Sequence, residues 1–126
     1  MLTNCNAIPT IPVKDLNVAR DFYEKKLGLK PVGDIKDEEV QLFKSGDSMV
    51  EVYKSDFAGT NKATAMTWTV KDDIESEVKN LSSKGIGFEH YSLPDTKLVG
   101  DIHVMGDFKA AWFKDPDGNI LCVHNQ

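Results

Sequence analysis

The sequence has few cysteines, no excess of basic residues and no long apolar run, and each of these absences excludes a class of protein. Two cysteines in 126 residues cannot form the disulfide framework of a small secreted protein. The net charge of −5 excludes a surface built to neutralise phosphates, so we expect no nucleic-acid partner. No apolar run reaches the length of a membrane span, and the first residues lack the pattern of a signal peptide. We therefore expect a cytoplasmic protein with reduced thiols and no membrane partner.

An internal repeat is the feature around which the rest of the chain is arranged. Val13-Lys14-Asp15 recurs 57 positions later as Val70-Lys71-Asp72, and Gly28 and Gly85 have the same spacing. A spacing held across a strand and a helix predicts a duplicated fold. Each half is expected to contain a strand, a helix and three further strands. Because neither half has enough core alone, we expect one domain over residues 1–126, with module one at about 5–55 and module two at about 63–126.

Helix signals follow the first strand of each half, which we expect at residues 7–13 and 63–70. Asp15 or Asn17 is expected to cap the first helix, and Asp72 or Asp73 the second. Gly28 and Gly85 are expected to end them. Apolar residues at helical spacing predict the buried stripes, which are Val18, Ala19, Phe22 and Tyr23 in the first helix and Ile74, Val78 and Leu81 in the second. Asp37-Glu38 is expected to form a turn in module one.

Two similar segments predict the strands that carry the site. Residues 113–123 contain Asp115-Pro116-Asp117-Gly118-Asn119, a composition that favours a tight turn between antiparallel strands. Residues 43–52 repeat the pattern around Gly46. Superposing the two segments places Glu51 on Cys122, so we expect these residues at matching strand positions in the two halves.

The second half departs from the first through the polar stretch of residues 93–107. Such an insertion predicts a loop that covers a pocket or contacts another subunit, or else a solvated linker. Within it, Ile102-His103-Val104-Met105-Gly106 forms an apolar island able to fold over a pocket. His103 is therefore a candidate ligand contact.

Four motifs in this order carry a family resemblance. They are Ile-Pro-Val-Lys-Asp-Leu at residues 11–16, Phe22-Tyr23 with Leu27-Gly28, Thr-Val-Lys-Asp at residues 69–72, and Asp-Pro-Asp-Gly-Asn at residues 115–119. Together they resemble the vicinal oxygen chelate superfamily, and within it the glyoxalase/bleomycin resistance protein/dioxygenase group. The resemblance implies the α+β glyoxalase/bleomycin resistance fold. In that fold two tandem βαβββ modules form a U-shaped, mostly antiparallel sheet around a ligand cavity, often as a homodimer.

The resemblance also implies four inward positions, one on the first and one on the last strand of each module. In the metal enzymes of the superfamily these positions hold a divalent ion through His, Glu or similar ligands. The matching residues here are Ile8, Glu51, Ala65 and Cys122. Ile8 and Ala65 cannot bind a metal, and a catalytic site needs about three protein ligands. We therefore expect no cofactor, with a divalent metal ion held by other residues as the alternative.

Strand alternation adds candidates that share the inward face with Glu51 and Cys122. The residues expected to bind ligand are Ile8, Thr10, Glu51, Tyr53, Ala65, Thr67, His103, Trp112, Cys122 and His124. Glu51 is read either as a catalytic base or partner of a cationic ligand, or as a carboxylate satisfied by a neighbouring lysine or hydroxyl. Cys122 is either a small buried hydrophobe or a nucleophile, and Trp112 either lines the cavity or belongs to the core.

Two functions remain open at this point. The first is a protein that binds a small organic molecule in a cavity between its modules, as the bleomycin resistance proteins do, without a metal centre. The second is a metal-dependent glyoxalase-like lyase or isomerase, or a dioxygenase-like enzyme, with Glu51 as base or ligand. Fold alone cannot choose between them.

Overall fold

The computed structural model describes residues 1–36 and 38–126, except for the side chain of Asp72. Two compact units make up the chain, Met1–Gly59 and Thr60–Gln126, and their boundary lies within the polar segment of residues 56–62. Each unit contains one sheet and a helical segment, which confirms the predicted α+β class. That the two units fold as one domain stays a prediction. No helix among the described residues is long and apolar enough to cross a membrane.

The first unit follows the predicted order of one strand, one helix and three strands. Its elements are a 3-10 turn at Leu2–Asn4, β1 at Thr10–Val13, α1 at Leu16–Asp21 with a π-helical turn at Phe22–Lys26, β2 at Lys30–Lys36, β3 at Val40–Ser45 and β4 at Ser48–Lys54. The strands lie in the order β1-β4-β3-β2. Strand β1 runs parallel to β4, and the remaining pairs are antiparallel.

Helix α1 begins where the sequence predicts. The Asp15 side chain accepts hydrogen bonds from the backbone N–H groups of Asn17 at 2.8 Å and Val18 at 3.3 Å, which confirms Asp15 as the cap. Ala19 is buried, as the predicted stripe requires, but Val18 is 48% exposed. Its place in the stripe is wrong because Leu16, one turn before Ala19, takes the position against the sheet.

The second unit has the same opening and the same closing hairpin, with additional strands between them. Its elements are β5 at Thr64–Thr69, a 3-10 turn at Lys71–Asp73, α2 at Ile74–Ser83, β6 at Phe88–Glu89, β7 at Lys97–Val99, β8 at Ile102–Met105, β9 at Phe108–Lys114 and β10 at Ile120–His124. The strand order is β5-β10-β9-β8-β7, and β6 also pairs with β9.

Helix α2 buries the predicted stripe of Ile74, Val78 and Leu81. Asp73 occupies its N-cap position, but its side chain accepts no capping hydrogen bond among the described residues, so that alternative is wrong. The capping alternative at Asp72 and the turn residue Asp37 lie outside the described residues. Gly85 has a φ of 87°, and the following N–H of Ile86 donates to the carbonyl of Leu81, which confirms the predicted end of the helix.

Residues 93–107 are not the irregular loop or linker that the sequence predicts. They contain the hairpin of β7 and β8, and β8 pairs with β9 through His103 opposite Ala110. The apolar island is therefore a strand of the sheet, because Ile102 and Val104 alternate with His103 and Met105 at the two-residue period of a strand. We call residues 97–105 the inserted hairpin.

The strand registers confirm the superposition of the two halves. Each sheet contains a row in which the first, last and penultimate strands of the repeat lie side by side. The rows are Thr10, Glu51 and Leu42 in the first sheet and Thr67, Cys122 and Trp112 in the second. Glu51 and Cys122 thus occupy matching positions, as predicted.

The turn between β9 and β10 is closed by the side chain of Asp115. Its Oδ1 accepts from the N–H groups of Asp117 at 3.0 Å and Asn119 at 2.9 Å, and its Oδ2 accepts from Asn119 Nδ2 at 2.7 Å. Gly118 supplies a φ of 93°. These bonds fix the register that places Cys122 beside Trp112.

Candidate binding site

Each sheet has one buried face and one partly exposed face. On β4, Val50 and Val52 are buried, whereas Glu51 and Tyr53 are half-buried. This alternation follows from the two-residue period of a strand and agrees with the predicted faces. We call the face that carries Glu51 the open face of the first sheet, and the face that carries Cys122 the open face of the second.

The open face of the first sheet brings together three of the predicted site residues. Thr10 lies directly beside Glu51 in the register, and Tyr53 follows two residues along the same strand. Ile8 lies outside this group because β1 begins only at Thr10, and Ile8 is 43% exposed. Its predicted place within the first strand is wrong, since Pro9 has no N–H to extend the ladder. The Pro9 carbonyl does accept a hydrogen bond from Glu51 N at 2.9 Å.

The open face of the second sheet carries the remaining candidates in two neighbouring rows. One row holds Thr67, Cys122 and Trp112, and the next holds Thr69, His124, Ala110 and His103. Ala65 is half-buried and lies where the register between β5 and β10 shifts, so it has no direct partner on β10. The rows give this face hydroxyl, thiol, indole and imidazole groups within one short stretch of sheet.

Trp112 lies on the open face rather than in the core. It is half-buried, and its Nε1 donates a hydrogen bond to the Thr64 hydroxyl at 3.1 Å. Its ring also contacts Tyr91 edge-on, with the centroids 5.6 Å apart. The indole is therefore held in place by two neighbours while part of its surface stays available to a ligand.

His103 is the most enclosed polar side chain of this face. It is 0% exposed, and its ring meets the Trp112 ring edge-on at a centroid distance of 4.9 Å. His103 Nε2 accepts a hydrogen bond from the backbone N–H of Tyr91 at 2.9 Å. The other ring nitrogen, Nδ1, is buried and has no hydrogen-bond partner among the described residues.

The Cys122 thiol is a weak nucleophile in the folded chain. Burial raises the pKa of Cys122 to about 11, although hydrogen bonding with the Thr67 side chain acts in the opposite direction. At neutral pH the group is therefore a protonated thiol, which is a poor nucleophile and a poor metal ligand. The structure supports its reading as a small buried hydrophobe.

The donors of each unit do not fit the metal centre that the family resemblance implies. Within residues 1–36 and 38–126, leaving aside the Asp72 side chain, no three His, Cys, Asp or Glu side chains come together. The nearest register neighbours of Glu51 are Thr10 and Leu42, of which only Thr10 carries a side-chain oxygen.

Sequence reasoning missed Tyr91 and the pair of Glu89 and Lys114. Tyr91 contacts both His103 and Trp112, and burial together with the nearby Glu89 carboxylate raises the pKa of its phenol. Glu89 lies opposite Trp112 in the register and accepts from Lys114 Nζ at 3.0 Å. The sequence signal that could have identified Glu89 and Tyr91 is their spacing of two residues just before the insertion. At the period of a strand this spacing puts both side chains on the same face of the sheet as Trp112.

Comparison with solved structures gives relatives of the same fold. A glyoxalase family protein from Enterococcus faecalis superposes with a TM-score of 0.72 at 20% identity, over 98% of this chain and 99% of that one. The fosfomycin resistance protein FosX from Mesorhizobium loti gives a TM-score of 0.70 at 14% identity, over 98% and 92%. FosX from Listeria monocytogenes, solved with Mn(II) and sulfate, gives 0.69 at 12% identity, over 96% and 89%.

Sequence comparison assigns the family. No curated protein matches this chain. The model of the Glyoxalase/Bleomycin resistance protein/Dioxygenase superfamily matches residues 7–123, a range that extends across both units. The fold, the duplicated strand order and this match lead to one conclusion: the chain belongs to the Glyoxalase/Bleomycin resistance protein/Dioxygenase superfamily.

Proposed function

We propose that this chain binds a small organic molecule on the open faces of its sheets and that it does so without a metal centre. The observation that carries the proposal is the contrast between the two faces of the second sheet. Leu121 and Val123 are 0% and 3% exposed on one face. On the other face Cys122 is as buried, at 3%, but its register neighbours Thr67 and Trp112 are exposed and half-buried. An apolar surface with a few oriented polar groups is typical of small-molecule sites.

The charge of the chain narrows the class of ligand. The net charge is −5, and Glu51 places a carboxylate on the open face of the first sheet. A cationic or neutral aromatic molecule is therefore favoured over an anion. A ligand of this kind needs shape, aromatic surface and charge from its binder, and no reacting group.

The second candidate is a metal-dependent enzyme with Glu51 as base or ligand. It is favoured by the fold relative from Listeria, whose structure contains Mn(II). In such an enzyme the metal would be bound by residues other than Ile8 and Ala65, because the side chains of these two residues have no atoms that can coordinate a metal.

The experiment that separates the two candidates is elemental analysis of protein purified without chelators. It is paired with thermal melts in Ni²⁺, Zn²⁺, Mn²⁺ and Fe²⁺ and in a panel of cationic aromatic amines. We expect no stoichiometric metal, no shift with the four ions, and a rise in melting temperature with at least one amine, since a ligand that binds only the native state stabilises it. Near one metal per chain, lost in the matched variant Glu51→Gln, would overturn the metal-free proposal in favour of the enzyme.

We also propose that the protein is a homodimer that works in the cytoplasm. Cys5 and Cys122 are both free thiols, which suits a reducing compartment. Large apolar side chains are exposed on the outermost strands β2 and β7, namely Val32 at 40%, Leu98 at 42% and Val99 at 54%. Exposed apolar strand edges are surfaces that a second copy can cover.

A further inference from the structure

Strand β7 forms one edge of the second sheet, and its backbone is regular along its whole length. The strand, Lys97–Val99, pairs with β8 in an unbroken register, and all of its residues are exposed. It contains no proline, and none of its three described residues has a positive φ. Its free edge therefore presents an uninterrupted extended backbone to solvent.

Strand β2, the other outer strand with exposed apolar side chains, is built differently. Pro31 has no N–H to donate to a neighbouring strand. The pairing of β2 with β3 is irregular between Val32 and Lys36, where Gly33 has a φ of 71°. Prolines and bulges at a sheet edge hinder pairing with another strand, so β7 is favoured over β2 as the edge that a second copy extends.

The turn after β7 determines which backbone groups of the strand point outward. A two-residue turn joins Val99 to Ile102, and such a turn is closed by a hydrogen bond between its first and last residues. Hydrogen-bonded and non-hydrogen-bonded pairs alternate along an antiparallel ladder, so the next pair, Leu98 and His103, exchanges no hydrogen bonds. The N–H and C=O of Leu98 therefore point away from β8, where a further strand can bind them.

The side chains of β7 border a groove on each side of the sheet. Leu98 lies on the open face and lines a groove of about 350 Å³ together with Leu93. Val99 lies on the opposite face and lines a groove of about 480 Å³ together with Val78 of α2. A strand added to β7 would place alternate side chains against apolar groups on both faces, which is the usual geometry of strand addition.

The charges beside β7 fit a second copy of the same strand. Asp101 meets His90 Nε2 through its Oδ1 at 2.7 Å, and its Oδ2 has no partner among the residues that the structure describes. Antiparallel pairing about a two-fold axis through Leu98 sets Lys97 of each copy opposite Val99 of the other and diagonal to its Asp101, within reach of a long side chain. The edge is thus self-complementary, as an interface between identical chains must be.

We propose that β7 pairs with β7 of a second copy, antiparallel and about a two-fold axis through Leu98, so that the second sheets of two chains form one continuous sheet. The pairing ends at Thr96 and Gly100, because Asp95 and Gly100 have φ values of 52° and 61° and turn the chain out of the strand. The inference deepens the homodimer proposed above and rests on that part of the proposed function.

The test introduces one cysteine near the axis of the full chain, in which Cys5→Ser removes the exposed thiol. The two copies of residue 98 are expected to face each other with Cα atoms about 5.5 Å apart, so Leu98→Cys should give a disulfide-linked dimer under mild oxidation. Val99→Cys is the matched control, because its two copies are diagonal at about 7–8 Å, beyond the range of an unstrained disulfide.

Non-reducing gel electrophoresis measures the covalent dimer, and we expect about tenfold more of it from Leu98→Cys than from Val99→Cys, the difference between a bridgeable and an unbridgeable pair. Leu98 and Val99 are 42% and 54% exposed, so both variants are expected to fold, and thermal melts check this.

A charge exchange gives a second measurement that does not depend on disulfide geometry. Lys97→Asp and Asp101→Lys are each expected to weaken the dimer about threefold in sedimentation equilibrium, as for an exposed ion pair. The combined variant is expected to recover the wild-type dimer, because the two charges are exchanged. Losses that simply add in the combined variant would contradict the contact between these two residues.

Equal yields from the two cysteine variants, or no covalent dimer from Leu98→Cys while the wild-type protein is dimeric, would overturn the β7 pairing and keep the homodimer. A monomeric wild-type protein would overturn both. Small-molecule binding is judged separately, by the metal content and by the melts with cationic amines, so its failure is distinguishable from the failure of this inference.

Discussion

The two cysteines differ in reactivity because one is exposed to solvent and the other is buried. Cys5 is exposed, whereas Cys122 is 3% exposed between Thr67 and Trp112 in the register of the second sheet. Burial raises the pKa of the Cys122 thiol from its ordinary value of 9.0 to about 11. A thiol reacts through its thiolate, so the same residue type has two reactivities in one chain.

Iodoacetamide is expected to modify one thiol per native chain at pH 8 and two after denaturation. At this pH about one part in a thousand of Cys122 is thiolate, and the side chain is also shielded. Mass spectrometry locates the modified residue, and Cys5→Ser is the control, expected to leave the native chain unlabelled. Rapid native labelling of Cys122 would contradict the burial that its raised pKa reflects.

The same pKa shift predicts how stability depends on pH. The folded chain holds the Cys122 proton more tightly than the unfolded chain, because its pKa is raised on folding. This contribution to the free energy of unfolding is complete below pH 9 and is lost as pH rises towards 11. Urea denaturation from pH 8 to pH 11 is expected to show a shallower decline in Cys122→Ala than in wild type. Equal slopes would show that the shift is absent.

Strand alternation and the repeat were enough to assign faces to single residues. The rows that join Thr10 to Glu51 and Thr67 to Cys122 follow from a period of two and from the turn chemistry, both of which are local. The environment of His103 could not be predicted in this way. Its contact with Tyr91 joins residues 12 positions apart, one on β8 and the other in the irregular segment after β6, and no local sequence pattern predicts this contact.

At the level of elements, both helices end at glycines with positive φ, 75° at Gly28 and 87° at Gly85. The sequence predicts these ends because glycine adopts the left-handed conformation without a steric cost. The inserted hairpin was missed for a physical reason. Its strands are short, and Lys97–Val99 is exposed along its whole length, so no buried alternating pattern marks it in the sequence.

Gly85→Ala is expected to destabilise the chain by about 1–2 kcal/mol, since an L-residue is strained at this φ although space for the Cβ is open. Gly87→Ala is the matched control, because Gly87 also has open space and does not adopt a positive φ. Urea denaturation midpoints compare the two variants with wild type. Equal stability of both variants would show that the helix end does not depend on the left-handed residue.

At the level of the whole molecule, the two units carry the same kind of sheet but different edges. The first sheet ends at β2 and the second at β7, and both outer strands expose valine or leucine side chains. Strand β2 is one of the strands that the repeat predicts, but its place at the edge is known only from the structure. The second edge depends on the inserted hairpin and could be recognised only from the structure.

Sedimentation velocity at micromolar concentration is expected to show a single species of twice the 14.0 kDa chain mass. The exposed apolar side chains on the outer strands provide the physical reason, since association would remove them from water. Val99→Lys on β7 is expected to weaken the dimer if that edge is the interface, and Val32→Lys tests β2 in the same way. A 14.0 kDa species for the wild-type protein would contradict the homodimer.

The inserted hairpin also has a consequence for how such a protein diverges. It pairs with one side of β9, and its two strands differ in burial: Lys97–Val99 is exposed, whereas Ile102 and His103 are 8% and 0% exposed. Substitutions in the exposed strand β7 are therefore expected to cost little stability, whereas substitutions at Ile102 or His103 are expected to disturb the core. In a library, residues 97–99 are the part of the hairpin to randomise, while the buried residues of β8 are kept.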